Sequence, residues 1–235
     1  MKLTRMEKHW ALYDVGNSAF TLLVSTIIPI YFDHLAEQKG ISSVDYLAYW
    51  GYAVSIATLV IACIGPVLGA ISDNKGYKKP IFTASILLGA VGCGALGLTT
   101  EWMIFLIIFV LAKISYSLSL IFYDSMLLDV TQEQRMDYVS SQGFAWGYIG
   151  SCIPFIACLG LVLGGESIGL SMEQSMLLAF VIVAIWWVAT STPLLRNYQQ
   201  EYFVVKKKHA GRESLIRLFQ TVKNMRKEKA IFFFW

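Results

Sequence analysis

The chain has 235 residues, of which 56% are hydrophobic and only 15% are charged, and its net charge is +3. With a mean hydropathy of +0.57, it carries more apolar surface than a soluble domain of this length can bury, so the composition excludes a soluble protein. The apolar runs are long and show no alternation of polar and apolar residues, which excludes a transmembrane β-barrel.

Six apolar runs are each long enough to cross a bilayer, for which a helix needs roughly 20 residues. They predict an all-α polytopic membrane protein with a six-helix bundle at 1–194. The predicted spans cover residues 11–32, 46–71, 80–99, 102–123, 143–163 and 174–194. A basic cytoplasmic linker at 195–229 follows, and residues 230–235 begin a seventh span. Because the chain ends inside an apolar run, we interpret it as a fragment or the product of a truncated gene.

The distribution of basic residues predicts the orientation of the spans. Of the 19 lysines and arginines, all but two fall on one side of the predicted spans; the exceptions are Lys39 on the opposite side and Lys113 inside the fourth span. The N-terminus and the linker are therefore expected in the cytoplasm. This asymmetry explains the net charge without a nucleic-acid partner. The linker has one apolar helical face, so it is either bound to the lipid bilayer surface or solvated.

The first span carries a stripe of polar side chains with spacings of i, i+3, i+4, i+7 and i+11, which places them on one helical face. Its members are Asp14, Asn17, Ser18, Thr21 and Ser25. Polar groups are costly in hydrocarbon, so we predict that the stripe faces a water-filled cavity for a small-molecule substrate. Asp14 is either a proton carrier, with H⁺ as the coupling ion, or a structural acid at the positive end of the helix.

The fourth span carries a matching stripe, which predicts a cavity shared by the two helices. Its members are Lys113, Tyr116, Ser117, Tyr123 and Asp124. Lys113 lies near the middle of the span, too deep to reach the membrane surface easily. It is either a functional cation in the cavity or a structural lysine held by a carboxylate or by carbonyl groups.

A short polar loop at 69–79 separates the second and third spans, with the order glycine, acid, glycine and basic cluster that is typical of major facilitator transporters. The matching residues are Gly69, Asp73, Gly76, Lys78 and Lys79. Asn74 and Tyr77 stand where that family often has basic residues. We predict a cytoplasmic gating loop in which Asp124 pairs with Lys78 or Lys79, because a negative charge near the C-terminal end of a helix requires a nearby cation.

Rows of small residues spaced by four predict faces where helices approach closely, with a gating role as the alternative. The rows are Gly65 and Gly69 in the second span, Gly89, Cys93 and Gly97 in the third, and Gly143, Gly147 and Ser151 in the fifth. Pro29, Pro66 and Pro154 predict kinks inside spans.

Three stretches resemble the autophagy-related vacuolar effluxer-like branch of the major facilitator superfamily, also called the unknown major facilitator family. They are WALYDVGNSAF at 10–20, FYDSML at 122–127 and SSQGFAWGYIG at 140–150. In that branch asparagine is common at the position of Asp124. The resemblance implies the N-terminal half of a transporter of twelve or so spans, with a C-terminal half as partner. It also implies that the substrate binds between the two bundles, with the first and fourth helices of each half lining the cavity.

The same resemblance implies the activity of a secondary transporter that works by alternating access. The substrate class associated with fungal members is amino acids, and the implied direction is efflux. The implied location is a bacterial cell membrane, or the vacuolar membrane for a fungal protein.

Other interpretations stay open on the residues alone. The chain could be a half-size unit that homodimerises, or an inactive truncated remnant. An intramembrane aspartyl protease is a further alternative, because Tyr13-Asp14 and Tyr123-Asp124 are two Tyr-Asp pairs on separate helices, although a Gly-x-Gly-Asp motif is absent. Neither a phosphate-binding loop nor a cysteine or histidine cluster is present, so we predict a non-enzymatic carrier without metal or cofactor.

Overall fold

The computed structural model describes residues 2–203, and over this range the chain folds into seven α-helices joined by short turns. Within the same range, six helical segments are long and apolar enough to cross a membrane. The prediction of an all-α polytopic bundle is therefore confirmed. The predicted linker beyond residue 203 and the start of a seventh span lie outside the described residues.

The first span consists of two helices, α1 (Arg5–Leu22) and α2 (Ile28–Gln38), joined by a π-helical turn at Leu23–Ile27. The other spans are α3 (Ser43–Ser72), α4 (Lys78–Ala95), α5 (Trp102–Val130), α6 (Met136–Gly164) and α7 (Met172–Asn197). Short 3₁₀ turns occur at Leu96–Leu98, Glu133–Arg135 and Glu166–Ile168. α5 ends at Val130 rather than at residue 123, and α6 begins at Met136 rather than at residue 143.

The π-helical turn is located just before Pro29. Proline has no N–H, so Pro29 cannot donate to the carbonyl of Ser25, and the helix widens in the turn before it. The hydroxyls of Ser25 and Thr26 donate to the carbonyl of Leu22, at 3.1 and 2.5 Å. By contrast, Pro66 lies inside α3, which continues as one helix.

α1 lies at the centre of the bundle and packs against both α6 and α7, whereas α3 packs mainly against α5. The ring centroid of Phe20 on α1 lies 5.0 Å from that of Tyr116 on α5 and 5.4 Å from that of Trp187 on α7. All three rings are buried. Three helices therefore meet in one aromatic core.

The small-residue row of the third span, which runs from α4 into the 3₁₀ turn after it, is a packing face against α7. A Cβ atom at Gly89 would lie 2.6 Å from the Trp187 ring, and one at Gly97 would lie 2.5 Å from the backbone of Leu177. At Gly69, by contrast, an added Cβ meets no described atom within 4 Å. Close packing thus explains why glycines are present in the α4 row. It does not explain why residue 69, at the start of the loop at 69–79, is a glycine.

Gly16 lies at a close crossing of α1 and α7. A Cβ atom there would lie 2.1 Å from the Thr190 hydroxyl oxygen and 2.9 Å from the Trp187 Cα. The Thr190 side chain can rotate, but the Trp187 backbone cannot move without shifting α7. Glycine at this position therefore sets the distance between the two helices.

We expect Gly16→Ala to destabilise the bundle by about 1–3 kcal/mol, because the added methyl group overpacks a helix crossing. The measurement is the midpoint of thermal unfolding of the protein in detergent micelles, followed by circular dichroism. Gly51→Ala in α3 is the matched control, since an added Cβ there meets no described atom within 4 Å. Equal midpoints for the two variants would show that the α1–α7 crossing does not depend on Gly16.

Candidate functional site

Two adjoining cavities lie between α1, α5 and α6, with volumes of about 240 and 210 Å³. Asp14 of α1 and Phe144 of α6 line both of them. The larger cavity is also lined by Trp10, Tyr123, Asp124, Leu127 and Ser140. The smaller cavity is also lined by Asn17, Ser18, Thr21, Leu22, Tyr116, Leu120, Tyr148 and Ser151.

Hydrogen bonds fix the register of α1 against α5 along this wall. The Thr21 and Tyr116 hydroxyls lie 2.6 Å apart, and the Tyr13 and Ser119 hydroxyls lie 2.7 Å apart. Nearer the N-terminus of α1, the indole N–H of Trp10 donates to the carbonyl of Tyr123 at 3.1 Å. These bonds hold the polar stripes of the two helices side by side.

The carboxylate of Asp14 is positioned by a glycine on the opposite helix. Asp14 is 6% exposed, and a Cβ atom at Gly147 of α6 would lie 2.6 Å from its Oδ2 atom and 2.9 Å from the Ser18 hydroxyl oxygen. Because residue 147 has no side chain, the Asp14 carboxylate and the Ser18 hydroxyl have room to lie directly against α6 at this level. The α6 row of small residues is therefore a packing face that also shapes the wall of the cavity.

Two buried oxygen atoms at the cavities have no hydrogen-bond partner among the described residues: Asn17 Oδ1 and Tyr123 Oη. Asn17 is 3% exposed and Tyr123 is 4% exposed. A buried polar atom without a partner is costly, so each is available to a bound ligand or to water.

The structure brings together most of the residues that the stripes predicted. Those that line one of the two cavities are Asp14, Asn17, Ser18, Thr21, Tyr116, Tyr123 and Asp124. Neither Ser117 nor Lys113 is among the lining residues of these cavities. The Lys113 ammonium lies 5.0 Å from the ring centroid of Tyr116, a geometry that fits a cation–π contact.

The sequence-based prediction missed the contribution of α6 to the site. Phe144, Tyr148 and Ser151 form one wall of the smaller cavity, and Trp10 lines the larger one. Ser151 belongs to the small-residue row, and Phe144 and Tyr148 flank Gly147. The row of small residues in α6 could therefore have predicted that Phe144 and Tyr148 line the site, because side chains beside a close helix contact lie near the partner helix.

A buried ion pair ties the loop at 69–79 to the end of α5. The Lys78 ammonium lies 3.2 Å from the Asp129 carboxylate, and both side chains are almost fully buried. Asp129 also accepts hydrogen bonds from the Tyr198 hydroxyl and from the backbone N–H groups of Glu201 and Tyr202. Burial and the neighbouring Asp129 carboxylate raise the pKa of Tyr198. One carboxylate thus joins the loop, α5 and the segment after α7.

The rest of the loop makes further contacts with the segment after α7. The Lys79 ammonium donates to the carbonyl oxygens of Arg196 and Tyr198. Gly76 has a φ of 81°, a conformation that favours glycine, and its N–H donates to Gln200 Oε1 at 3.0 Å. Asp73 is exposed and caps the C-terminal end of α3.

The predicted partner of the loop lysines was wrong. We expected Asp124 to pair with Lys78 or Lys79, whereas Lys78 pairs with Asp129 and Lys79 binds carbonyl oxygens. The reason is the length of α5. Because the helix continues to Val130, Asp124 is still inside it and lines the larger cavity, and Asp129 is the acid that reaches the loop.

A second ion pair, between a buried carboxylate and a partly exposed arginine, joins the start of α1 to the turn before α6, and the sequence-based prediction missed it. Glu7 is 1% exposed. Its two carboxylate oxygens accept hydrogen bonds from the Arg135 guanidinium at 2.9 and 2.8 Å, and one of them also accepts a bond from the Thr131 hydroxyl. The geometry is the bidentate pairing typical of arginine and carboxylates.

The described part of the chain contains no group of three or more histidine, cysteine or acidic side chains that could hold a metal ion. Cys93 and Cys158 are buried and Cys63 and Cys152 are exposed, all as free thiols.

Comparison with known proteins finds one matching family model and two similar bacterial proteins. Residues 15–235 match the family model described as Major Facilitator Superfamily. The chain is 36% identical over 238 residues to an uncharacterised MFS-type transporter, YxiO, of Bacillus subtilis strain 168, a match that covers 99% of this chain and 56% of that protein. It is 29% identical over 150 residues to an uncharacterised protein of Aquifex aeolicus, covering 63% of this chain and 36% of that protein. The chain therefore spans about half the length, or less, of these relatives.

We expect Asp129→Asn to destabilise the bundle by about 3–5 kcal/mol, because it leaves the buried Lys78 ammonium without its carboxylate. Asp124→Asn is the matched control, since it makes the same chemical change one and a half turns earlier on the same helix. The measurement is the midpoint of thermal unfolding of each variant in detergent. A larger loss for Asp124→Asn than for Asp129→Asn would contradict this assignment of the ion pair.

Proposed function

This chain belongs to the major facilitator superfamily, and we propose that it is the N-terminal half of a secondary transporter that moves a small solute by alternating access. The six spans are those of one bundle of such a transporter. This chain aligns with only 56% of the length of YxiO. That coverage supports a C-terminal half as the partner of this bundle rather than a homodimer of two copies.

The observation that carries this proposal is the polar wall on α1 and α5. Seven side chains that sequence periodicity placed on one face of each helix line two cavities together, and α6 completes the wall. Polar groups are retained at such depth in a membrane where they line a path for a solute or an ion. In the proposed transporter the second bundle closes the cavity from the opposite side.

We further propose H⁺ as the coupling ion and Asp14 as its carrier. Asp14 is 6% exposed and lines both cavities, so a proton on its carboxylate would be close to the bound solute. The resemblance of three stretches to the effluxer-like branch supports efflux as the direction and includes amino acids among the candidate cargoes.

We place the N-terminus in the cytoplasm of a bacterial cell, in its plasma membrane. The positive-inside rule supports this orientation. Lys78 and Arg135 lie on the predicted cytoplasmic side, where each is paired with a buried carboxylate. Both relatives named above are bacterial proteins.

An aspartyl protease requires two carboxylates close enough to share a proton. Asp14 and Asp124 do line one cavity, but both relationships described above are to the transporter family and its uncharacterised members. We therefore propose a non-enzymatic carrier in which the two acids bind a solute or a proton.

Alternating access makes a prediction that does not require a known substrate. Ser18 lines the smaller cavity, so we expect a single cysteine at this position, Ser18→Cys, to react with a membrane-impermeant maleimide from either side of the membrane. The measurement uses the full-length protein without its native cysteines, in right-side-out and inside-out vesicles.

Two single-cysteine variants serve as controls. Asp137→Cys, in the first turn of α6, should react only from the cytoplasmic side, and Ser167→Cys, in the turn after α6, only from the outside, since both positions are exposed at opposite ends of that helix. Labelling of Ser18→Cys from one side alone, with both controls behaving as expected, would contradict alternating access.

A further inference from the structure

We propose that the cavity lined by Asp14 and Asp124 recognises an organic cation, with a protonated or quaternary ammonium group as its positive centre. This inference rests on the proposed transport function and names the substrate class of the same site.

The charge of the larger cavity is the first step of the argument. Two of its lining residues, Asp14 and Asp124, are acids, and none of its described lining residues is basic. Lys78 and Arg135, two basic residues at this end of the bundle, are paired with other carboxylates, Asp129 and Glu7. A carboxylate in a largely apolar cavity is stabilised when a cation binds to it.

The unpartnered oxygen atoms point to the same kind of ligand. The amide oxygen of Asn17 is a buried acceptor without a described partner, and the hydroxyl oxygen of Tyr123 is likewise buried without one. A protonated ammonium group has N–H donors for both oxygens and no acceptor that would compete with them, whereas a quaternary ammonium group has no N–H and interacts with them through its positive charge alone.

Aromatic rings form much of the rest of the wall. The rings of Trp10 and Tyr123 are stacked with centroids 4.2 Å apart and an interplanar angle of 13°. On α6, Phe144 and Tyr148 lie one turn apart and are 60% and 73% exposed. Aromatic faces attract cations, and more strongly where water is excluded. The combination of acids and accessible rings distinguishes an organic cation from a strongly hydrated metal ion, which would need several oxygen ligands.

Lys113 is too far from Asp124 to bind the carboxylate of an α-amino acid whose ammonium group lies at Asp124. Lys113 lies eleven residues before Asp124 on the same helix, which is about 16 Å along the axis at 1.5 Å per residue. This distance far exceeds the separation of the two charges in an α-amino acid. Among the charged residues, Asp14 and Asp124 line the larger cavity, and they would recognise the positive group of the solute.

The test is equilibrium binding of radiolabelled benzyltrimethylammonium to the full-length protein in lipid nanodiscs. Its neutral isostere neopentylbenzene, in which carbon replaces the charged nitrogen, is the competitor. We expect the cation to bind and the isostere to compete at least ~10-fold less strongly, because only the cation interacts with the carboxylates. We expect Asp14→Asn to weaken binding of the cation at least ~10-fold, which corresponds to about 1.4 kcal/mol.

Gly147→Ala tests whether binding depends on the position of the Asp14 carboxylate, because this variant keeps the charge of Asp14. The added methyl group would lie 2.6 Å from Asp14 Oδ2 and must displace the carboxylate, so we expect weaker binding of the cation with both acids present. Gly160→Ala is the matched control on α6, because an added Cβ there meets no described atom within 4 Å. Size-exclusion chromatography and circular dichroism establish that each variant is folded.

Three results would overturn the inference. The first is equal binding of the two probes, and the second is unchanged binding of the cation by folded Asp14→Asn. The third is that neither organic probe binds while Na⁺ or Mg²⁺ alone binds tightly. Labelling of Ser18→Cys decides the transport proposal separately. If the cation binds selectively and Ser18→Cys reacts from one side only, the ligand class stands and alternating access fails. If the labelling alternates and the probes bind equally, only the ligand class fails.

Discussion

The structure depends on how closely α1 can approach its neighbours. In a membrane, lipid is as apolar as a leucine side chain, so helices associate through close packing and hydrogen bonds. α1 meets α7 at Gly16 and meets α6 at Gly147, and at both crossings a single methyl group would collide with the partner helix. Hydrogen bonds from Trp10, Tyr13 and Thr21 tie α1 to α5 as well. The cavity wall, the position of Asp14 and the aromatic core all follow from this packing of the central helix.

Four acidic side chains at one end of the bundle fall into two groups with different surroundings. Glu7 and Asp129 are buried against a basic partner and several hydrogen-bond donors, so their charge is compensated inside the protein. Asp14 and Asp124 line a cavity in which none of the described residues is basic. The first pair joins structural elements at the end of the bundle. The second pair lines a cavity and has no basic partner among the described lining residues.

The periodicity of the sequence predicted the spans and the polar faces of α1 and α5, because membrane thickness fixes helix length and polar side chains share one face. It did not predict which acid pairs with Lys78. That choice depends on where α5 ends, and the polar residues after residue 123 concealed a helix that continues to Val130. It also did not predict the Glu7–Arg135 pair, because two residues far apart in sequence meet there only through the tertiary packing of α1 and α6.

The hydrogen bonds around Asp129 decide where the chain after α7 is attached to the bundle. Although α7 ends at Asn197, the next residues are held against the loop at 69–79 by Asp129, Lys79 and Gln200. Lys75 also lies over the ring of Phe203, 5.0 Å from its centroid. The segment after α7 is thus attached to the bundle at the loop between α3 and α4, and not only at the end of α7. A force transmitted along the chain is applied to that loop before it reaches α7.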